Sequence, residues 1–137
     1  MKDKFFILLL FGIMISFTAC EETTDILPDN SDPRDKFIGE WTCSETELKT
    51  KDYPVTIEKN PENSAQVVLQ NFALLGTDAF PHAYIIGDKI TLPQQPVKGV
   101  TIINASGELV DEEKIEWTYT LNDGADEEKF AATYTKK

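Results

Sequence analysis

The chain has 137 residues, with 13 basic against 24 acidic side chains and a net charge of −11. That size suits one domain with a modest core. The acidic balance argues against binding phosphate backbones or anionic lipid headgroups, so no nucleic-acid partner is expected.

Lys2 and Lys4 precede a nearly unbroken apolar run, Phe5 to Phe17. Thr18, Ala19 and Cys20 follow, and the chain then turns acidic. A charged start, a short apolar core and small residues at its end form the layout of a cleaved export signal over residues 1–19. The run falls short of the about 20 apolar residues that a spanning helix needs. The Ala19-Cys20 junction resembles the lipobox of bacterial lipoproteins, with Phe17 where that family usually has leucine. The resemblance implies cleavage before Cys20, lipidation of Cys20 and attachment to a membrane through that lipid. Ordinary cleavage after Ala19 is the alternative, and it sets Phe17 where a small residue is wanted. The two readings differ at Cys43: a lipidated Cys20 leaves it unpaired, whereas a free Cys20 would allow a Cys20–Cys43 bridge. Both methionines, Met1 and Met14, fall within the signal.

Residues 20–34 are rich in Asp, Glu, Pro and Ser, with Ile26 and Leu27 as their aliphatics. Such a stretch buries too little apolar surface to order itself and reads as a flexible acidic tether. Glu21-Glu22 resembles an acidic surface-export cluster in lipoproteins of some Gram-negative groups; a solvated spacer is the other reading. Asp32 and Pro33 suit the start of a short helical turn over Pro33–Phe37.

The domain proper spans residues 35–137 and shows alternation rather than helical periodicity. Trp41–Thr50 sets Trp41 and Cys43 against Thr42 and Ser44. Tyr53–Glu58 sets Tyr53, Val55 and Ile57 against Pro54, Thr56 and Glu58. Gln66–Phe72 carries Val67 and Leu69. Ala83–Ile86 and Lys89–Leu92 flank Gly87-Asp88, a hairpin signal that pairs Ile85 with Ile90. Val100–Ile103 and Glu108–Val110 surround Asn104-Ala105-Ser106-Gly107, which reads as a turn. Lys114–Leu121 puts Ile115, Trp117, Tyr119 and Leu121 on one face. Asn122-Asp123-Gly124 turns the chain, and Phe130–Thr135 sets Phe130, Ala132 and Tyr134 inward. Seven to nine short strands with one buried face predict an all-β fold, a single small antiparallel barrel or a flattened sandwich.

Phe37-Ile38-Gly39-Glu40-Trp41 resembles the Gly-x-Trp signature that opens the first strand of lipocalins and related calycins. The wider segment from Asp32, with Asn71-Phe72 and Gly87-Asp88-Lys89-Ile90-Thr91-Leu92-Pro93-Gln94-Gln95, is similar to small lipocalin-like lipoproteins of Gram-negative bacteria. The resemblance implies a barrel in which Gly39 and Trp41 form the closing motif. It also implies a place in the Gram-negative cell envelope, expected at the outer membrane and facing either the periplasm or the surface. A cation from a late strand usually covers that tryptophan as arginine. Here Arg34 is the only arginine, and Arg34 or a lysine is expected in that role.

Catalytic chemistry finds little support. His82 is the one histidine, and Ser44, Ser64 and Ser106 sit in no nucleophile motif. Cys43 reads as a small buried apolar residue. One histidine and one spare cysteine do not make a zinc site, and Asn122–Glu128 is an incomplete calcium loop. No catalytic residue, metal or cofactor is therefore expected. The aromatic set offers binding instead. Phe72, Trp117, Tyr119, Phe130 and Tyr134 are candidates to line a pocket for a small apolar or amphipathic ligand, or else to fill the core. The leading expectation is a non-enzymatic, lipid-anchored, ligand-binding barrel, and a barrel interior without a cavity would count against it. The alternative is an accessory module with a packed core that docks on a protein partner in the envelope. A patch around Tyr84 and Ile86 would mark its surface.

Overall fold

The computed structural model describes residues 31–46 and 51–137. The signal, Cys20 and most of the tether lie outside the described residues. Nine strands follow in order: β1 (Gly39–Glu45), β2 (Tyr53–Lys59), β3 (Gln66–Gln70), β4 (His82–Ile86), β5 (Lys89–Leu92), β6 (Gln95–Val97), β7 (Val100–Asp111), β8 (Lys114–Asn122) and β9 (Glu127–Lys136). Every pairing is antiparallel, in the order β5-β4-β3-β2-β1-β9-β8-β7-β6. β5 also pairs with β7, with Ile90 opposite Gly107 and Leu92 opposite Ala105. That contact closes eight strands into a barrel and leaves β6 as one extra strand on β7. Of the two architectures expected from sequence, the barrel is the one formed. Closure removes the unpaired edges that an open sheet would expose.

The alternation read from sequence sets the core. Trp41, Cys43, Val55, Ile57, Val67, Leu69, Ile90, Ile115 and Tyr134 are fully buried. The Gly87-Asp88 hairpin pairs Ile85 with Ile90 and Tyr84 with Thr91. Pro33–Phe37 forms a turn in which Asp32 Oδ1 accepts the Arg34 N–H at 3.0 Å and Arg34 O accepts the Phe37 N–H at 2.9 Å.

The expectation of a turn at Asn104–Gly107 is wrong. Those residues lie inside β7, a continuous strand of 12 residues. The turn-forming composition serves packing. A Cβ on Gly107 would stand 2.7 Å from Ile90 Cγ2 and 2.8 Å from Trp117 Cε2, so the bare backbone makes room for the indole. The run expected to extend to Phe72 stops at Gln70, and Phe72–Leu74 forms a 3₁₀ turn. β6 was not read from sequence. It is held in part by Gln95, whose amide accepts the His82 N–H at 3.0 Å and donates to His82 O at 2.9 Å and Pro93 O at 3.0 Å. The side-chain amide does there what a peptide unit does in a ladder.

Because strand directions alternate, the entry turn at 33–37, the Gly87-Asp88 turn and the Glu112-Glu113 turn gather at one end of the barrel. The connections 71–81 and 123–126 gather at the other. Lys36 pairs with Asp88 at 2.5 Å across the first end.

Candidate functional site

At the entry end, Gly39 adopts φ +132, a backbone conformation that favours glycine, as the chain passes into β1. Trp41 follows on the inward face. Its indole N–H donates to Phe37 O at 2.9 Å, and Lys136 Nζ sits 5.2 Å from the ring centroid. A lysine from the last strand therefore supplies the cation over the tryptophan. Arg34 goes elsewhere. Its guanidinium grips the Asp32 carboxylate, with Nη2–Oδ2 at 2.6 Å, and donates to the backbone oxygens of Asn63 at 3.3 Å and Gln66 at 3.1 Å. It staples the entry turn to the β2–β3 connection. The same guanidinium holds the Asp32 carboxyl well below the usual aspartate range.

The five aromatic candidates form one connected row. Phe72 meets Trp117 edge-on at 5.5 Å between ring centroids and Tyr119 at 5.0 Å. Trp117 lies 5.1 Å from Tyr134, and Tyr119 stacks on Phe130 at 5.2 Å. Phe72 and Tyr134 are fully buried, Trp117 and Tyr119 nearly so, and Phe130 is half-buried. Trp117 and Tyr119 on β8 and Phe130 and Tyr134 on β9 are neighbours on paired strands, with Tyr119 opposite Phe130, and Phe72 joins them from the 71–81 connection. An open cleft of about 660 Å³ lies outside the entry end, between Lys36, Asp88, Leu109, Val110, Glu113 and Lys136.

Sequence reading missed a polar group inside the barrel. Glu45 continues the inward row of Trp41 and Cys43, and that phase was the available signal. Glu45 Oε1 accepts the Tyr53 hydroxyl at 2.5 Å and also the Tyr119 hydroxyl. Glu45 Oε2, the Tyr134 hydroxyl and the Trp117 indole N–H are buried, with no hydrogen-bond partner among the described residues. Cys43 belongs to the same neighbourhood, and burial pushes its thiol up to about 12. Burial is also the largest cause holding the Tyr53, Tyr119 and Tyr134 hydroxyls protonated far above the usual phenol range.

Outside the barrel, Tyr84 and Ile86 point away from the core on β4, and Ile86 is 78% exposed. His82 starts the same strand, half-buried, with its ring 6.2 Å from that of Tyr84. The acidic turns serve the backbone: Asp123 Oδ1 accepts the Ala125 and Asp126 N–H groups, and Asp111 Oδ1 accepts that of Glu113. Among the described residues, no group of three or more His, Cys, Asp or Glu side chains is placed to hold a metal ion.

No protein-family model matches the chain, and the comparison with curated proteins finds no significant relative.

Proposed function

We propose that the chain is a lipid-anchored, non-enzymatic protein of a Gram-negative cell envelope, held to the outer membrane through Cys20. Its barrel works as an accessory module that docks on a protein partner in a membrane or cell-surface complex. One contrast carries this reading. The row of Phe72, Trp117, Tyr119 and Tyr134 occupies the interior, while Tyr84 and Ile86 stand exposed on the outer face of β4. A large apolar side chain kept at the surface is a candidate contact for a partner. The test is a photo-crosslinking side chain placed at Ile86 in cells, with Ala131 on β9, across the barrel, as the control. A discrete protein adduct from position 86 and none from 131 is expected. Equal or absent adducts would refute the docking face.

A second reading has its own support. Two polar atoms inside the barrel, Glu45 Oε2 and the Tyr134 hydroxyl, find no partner among the described residues, and a small amphipathic ligand with a donating polar head would satisfy both. Native mass spectrometry of the protein with an envelope lipid extract tests it. A stoichiometric added mass that is lost on unfolding supports the ligand, and a bare protein mass with every extract refutes it.

A further inference from the structure

The cluster around Glu45 is a part of the interior that the packed core does not explain. Glu45 is 8% exposed, and among the described residues no ion pair engages it. Its Oε1 is satisfied by two phenols, whereas the buried Oε2 finds no donor among the described residues. Buried polar atoms are rarely left this way, because each loses its water for no return. A carboxylate oxygen accepts hydrogen bonds, so a partner that completes this site donates to Oε2. A water molecule donates but brings no charge. A primary ammonium brings up to three donors and the countercharge that a buried carboxylate lacks. The surroundings suit it as well: the Tyr53 and Tyr119 phenols end on the same carboxylate, and aromatic rings attract cations. The net charge of −11 draws cations toward the chain and repels fatty-acid anions.

Such a ligand needs room, and the turn carrying Phe72 is the place to find it. Asn71, Ala73 and Leu74 have φ of 63, 50 and 59, so three non-glycine residues around Phe72 sit in the left-handed region. Asparagine tolerates that region; alanine and leucine do so at a cost. Strain of this kind persists where the surroundings enforce it, and it gathers at parts that move or bind. The ring that this turn carries is fully buried against Trp117 and Tyr119. Withdrawing Phe72 would relax the turn and open a ring-sized space beside Tyr119, whose hydroxyl ends on Glu45.

We infer that Glu45 is the head-group site for a small amphipathic primary amine, admitted when the Phe72 turn withdraws. This rests on the ligand reading and is independent of the docking face. The full chain is titrated at neutral pH with hexylamine, hexan-1-ol and hexanoate, followed by tryptophan fluorescence and calorimetry. Hexylamine is expected to bind saturably, about tenfold or more tighter than hexanol, a gap in proportion to one charge-assisted contact. Hexanoate is expected not to bind. Glu45→Gln keeps the shape of the side chain and removes the charge, so it abolishes the preference for amine over alcohol. Phe72→Ala tightens hexylamine binding by leaving the space open. If that variant does not fold, faster amide exchange over 72–75 in the amine-bound wild type reads the same withdrawal. Equal affinity for amine and alcohol overturns this inference and leaves the ligand reading standing. Undiminished preference in Glu45→Gln, or no binding of any probe, overturns it as well.

Discussion

Gly107→Ala isolates a single contact on which the barrel is built. Gly107 lies inside β7, opposite Trp117 on β8 and Ile90 on β5. The added methyl would stand 2.7 Å from Ile90 Cγ2, 2.8 Å from Trp117 Cε2 and 2.9 Å from Trp117 Cδ2, where ordinary contact begins at 3.4 Å. Neither neighbour gives way easily. Ile90 is fully buried and β-branched, and Trp117 is held between Phe72 and Tyr134. Forced overpacking of this kind costs about 1–3 kcal/mol. The smaller conformational freedom of alanine in a strand returns roughly 0.5–1 kcal/mol. The net expectation is a loss of up to about 2.5 kcal/mol, centred on ~1 kcal/mol, or roughly 4–8 °C in Tm for a domain of this size.

Urea and thermal unfolding measure that loss, and near-ultraviolet circular dichroism reports whether the indole has moved. Gly87→Ala is the control. Gly87 has φ +59 with nothing within 4 Å of its would-be Cβ, so it carries backbone strain and no clash. It should lower stability while leaving the aromatic signal unchanged. Trp117→Phe combined with Gly107→Ala should be less damaging than the two single losses added together, because the smaller ring relieves the clash. A Gly107→Ala protein of wild-type stability with an unchanged aromatic spectrum would refute the packing argument.

Gln95→Ala removes three hydrogen bonds and leaves the His82 N–H and the oxygens of His82 and Pro93 without that partner. The expected loss is about 2 kcal/mol, with faster exchange of the His82 amide as the local readout. Alkaline pH should unfold the protein. The Tyr53, Tyr119 and Tyr134 hydroxyls and the Cys43 thiol all have raised folded pKa values. Their stabilising effect is complete below the ordinary values of free thiols and phenols and is lost as pH climbs above them; a urea midpoint that does not fall above pH 10 would contradict this. Cys43 should resist a thiol reagent at pH 8 in the folded protein and react once in denaturant. A lipidated Cys20 leaves that as the only thiol titrated. Arg34→Lys should lower Tm and raise the pH of the acid transition. The Asp32 pair stabilises above the ordinary aspartate range and is lost as pH falls through the depressed value.

How much of this could be read from the residues depends on whether a position answers to its neighbours in the chain or to those across the barrel. Trp41, Val55, Ile57, Ile115 and Tyr134 obey a two-residue period fixed by the pleat, so their inward facing was plain. The Gly87-Asp88 hairpin is equally local, because its turn chemistry lies in the dipeptide. Asn104–Gly107 uses the same turn-forming residue types for a long-range reason. Gly107 is small because Trp117 lies over it, and that reason is invisible until β7 and β8 are paired. Gln95 is the same kind of case, since its two bonds to the His82 backbone exist only once the fold brings His82 beside it.

The candidate sites divide along the same line. The aromatic row was legible as a set of inward rings, but whether the rings enclosed space or filled it depended on Phe72. That residue reaches the interior only because Asn71, Ala73 and Leu74 accept a left-handed backbone, which composition does not announce. Glu45 stood in plain phase with Trp41 and Cys43, and an acid on a buried face violates the pattern that built the rest of the barrel. A fold specified by consistency at every level departs from it where function or strain demands. Here the two departures meet at Tyr119, which touches Phe72 with its ring and Glu45 with its hydroxyl. Tyr119→Phe separates them: it keeps the ring against Phe72 and removes one donor from the carboxylate. If the polar cluster were only a packing accident, that change would leave stability within about 0.5 kcal/mol. If the carboxylate depends on its donors, the loss is about 1–3 kcal/mol, measured by urea unfolding at neutral pH.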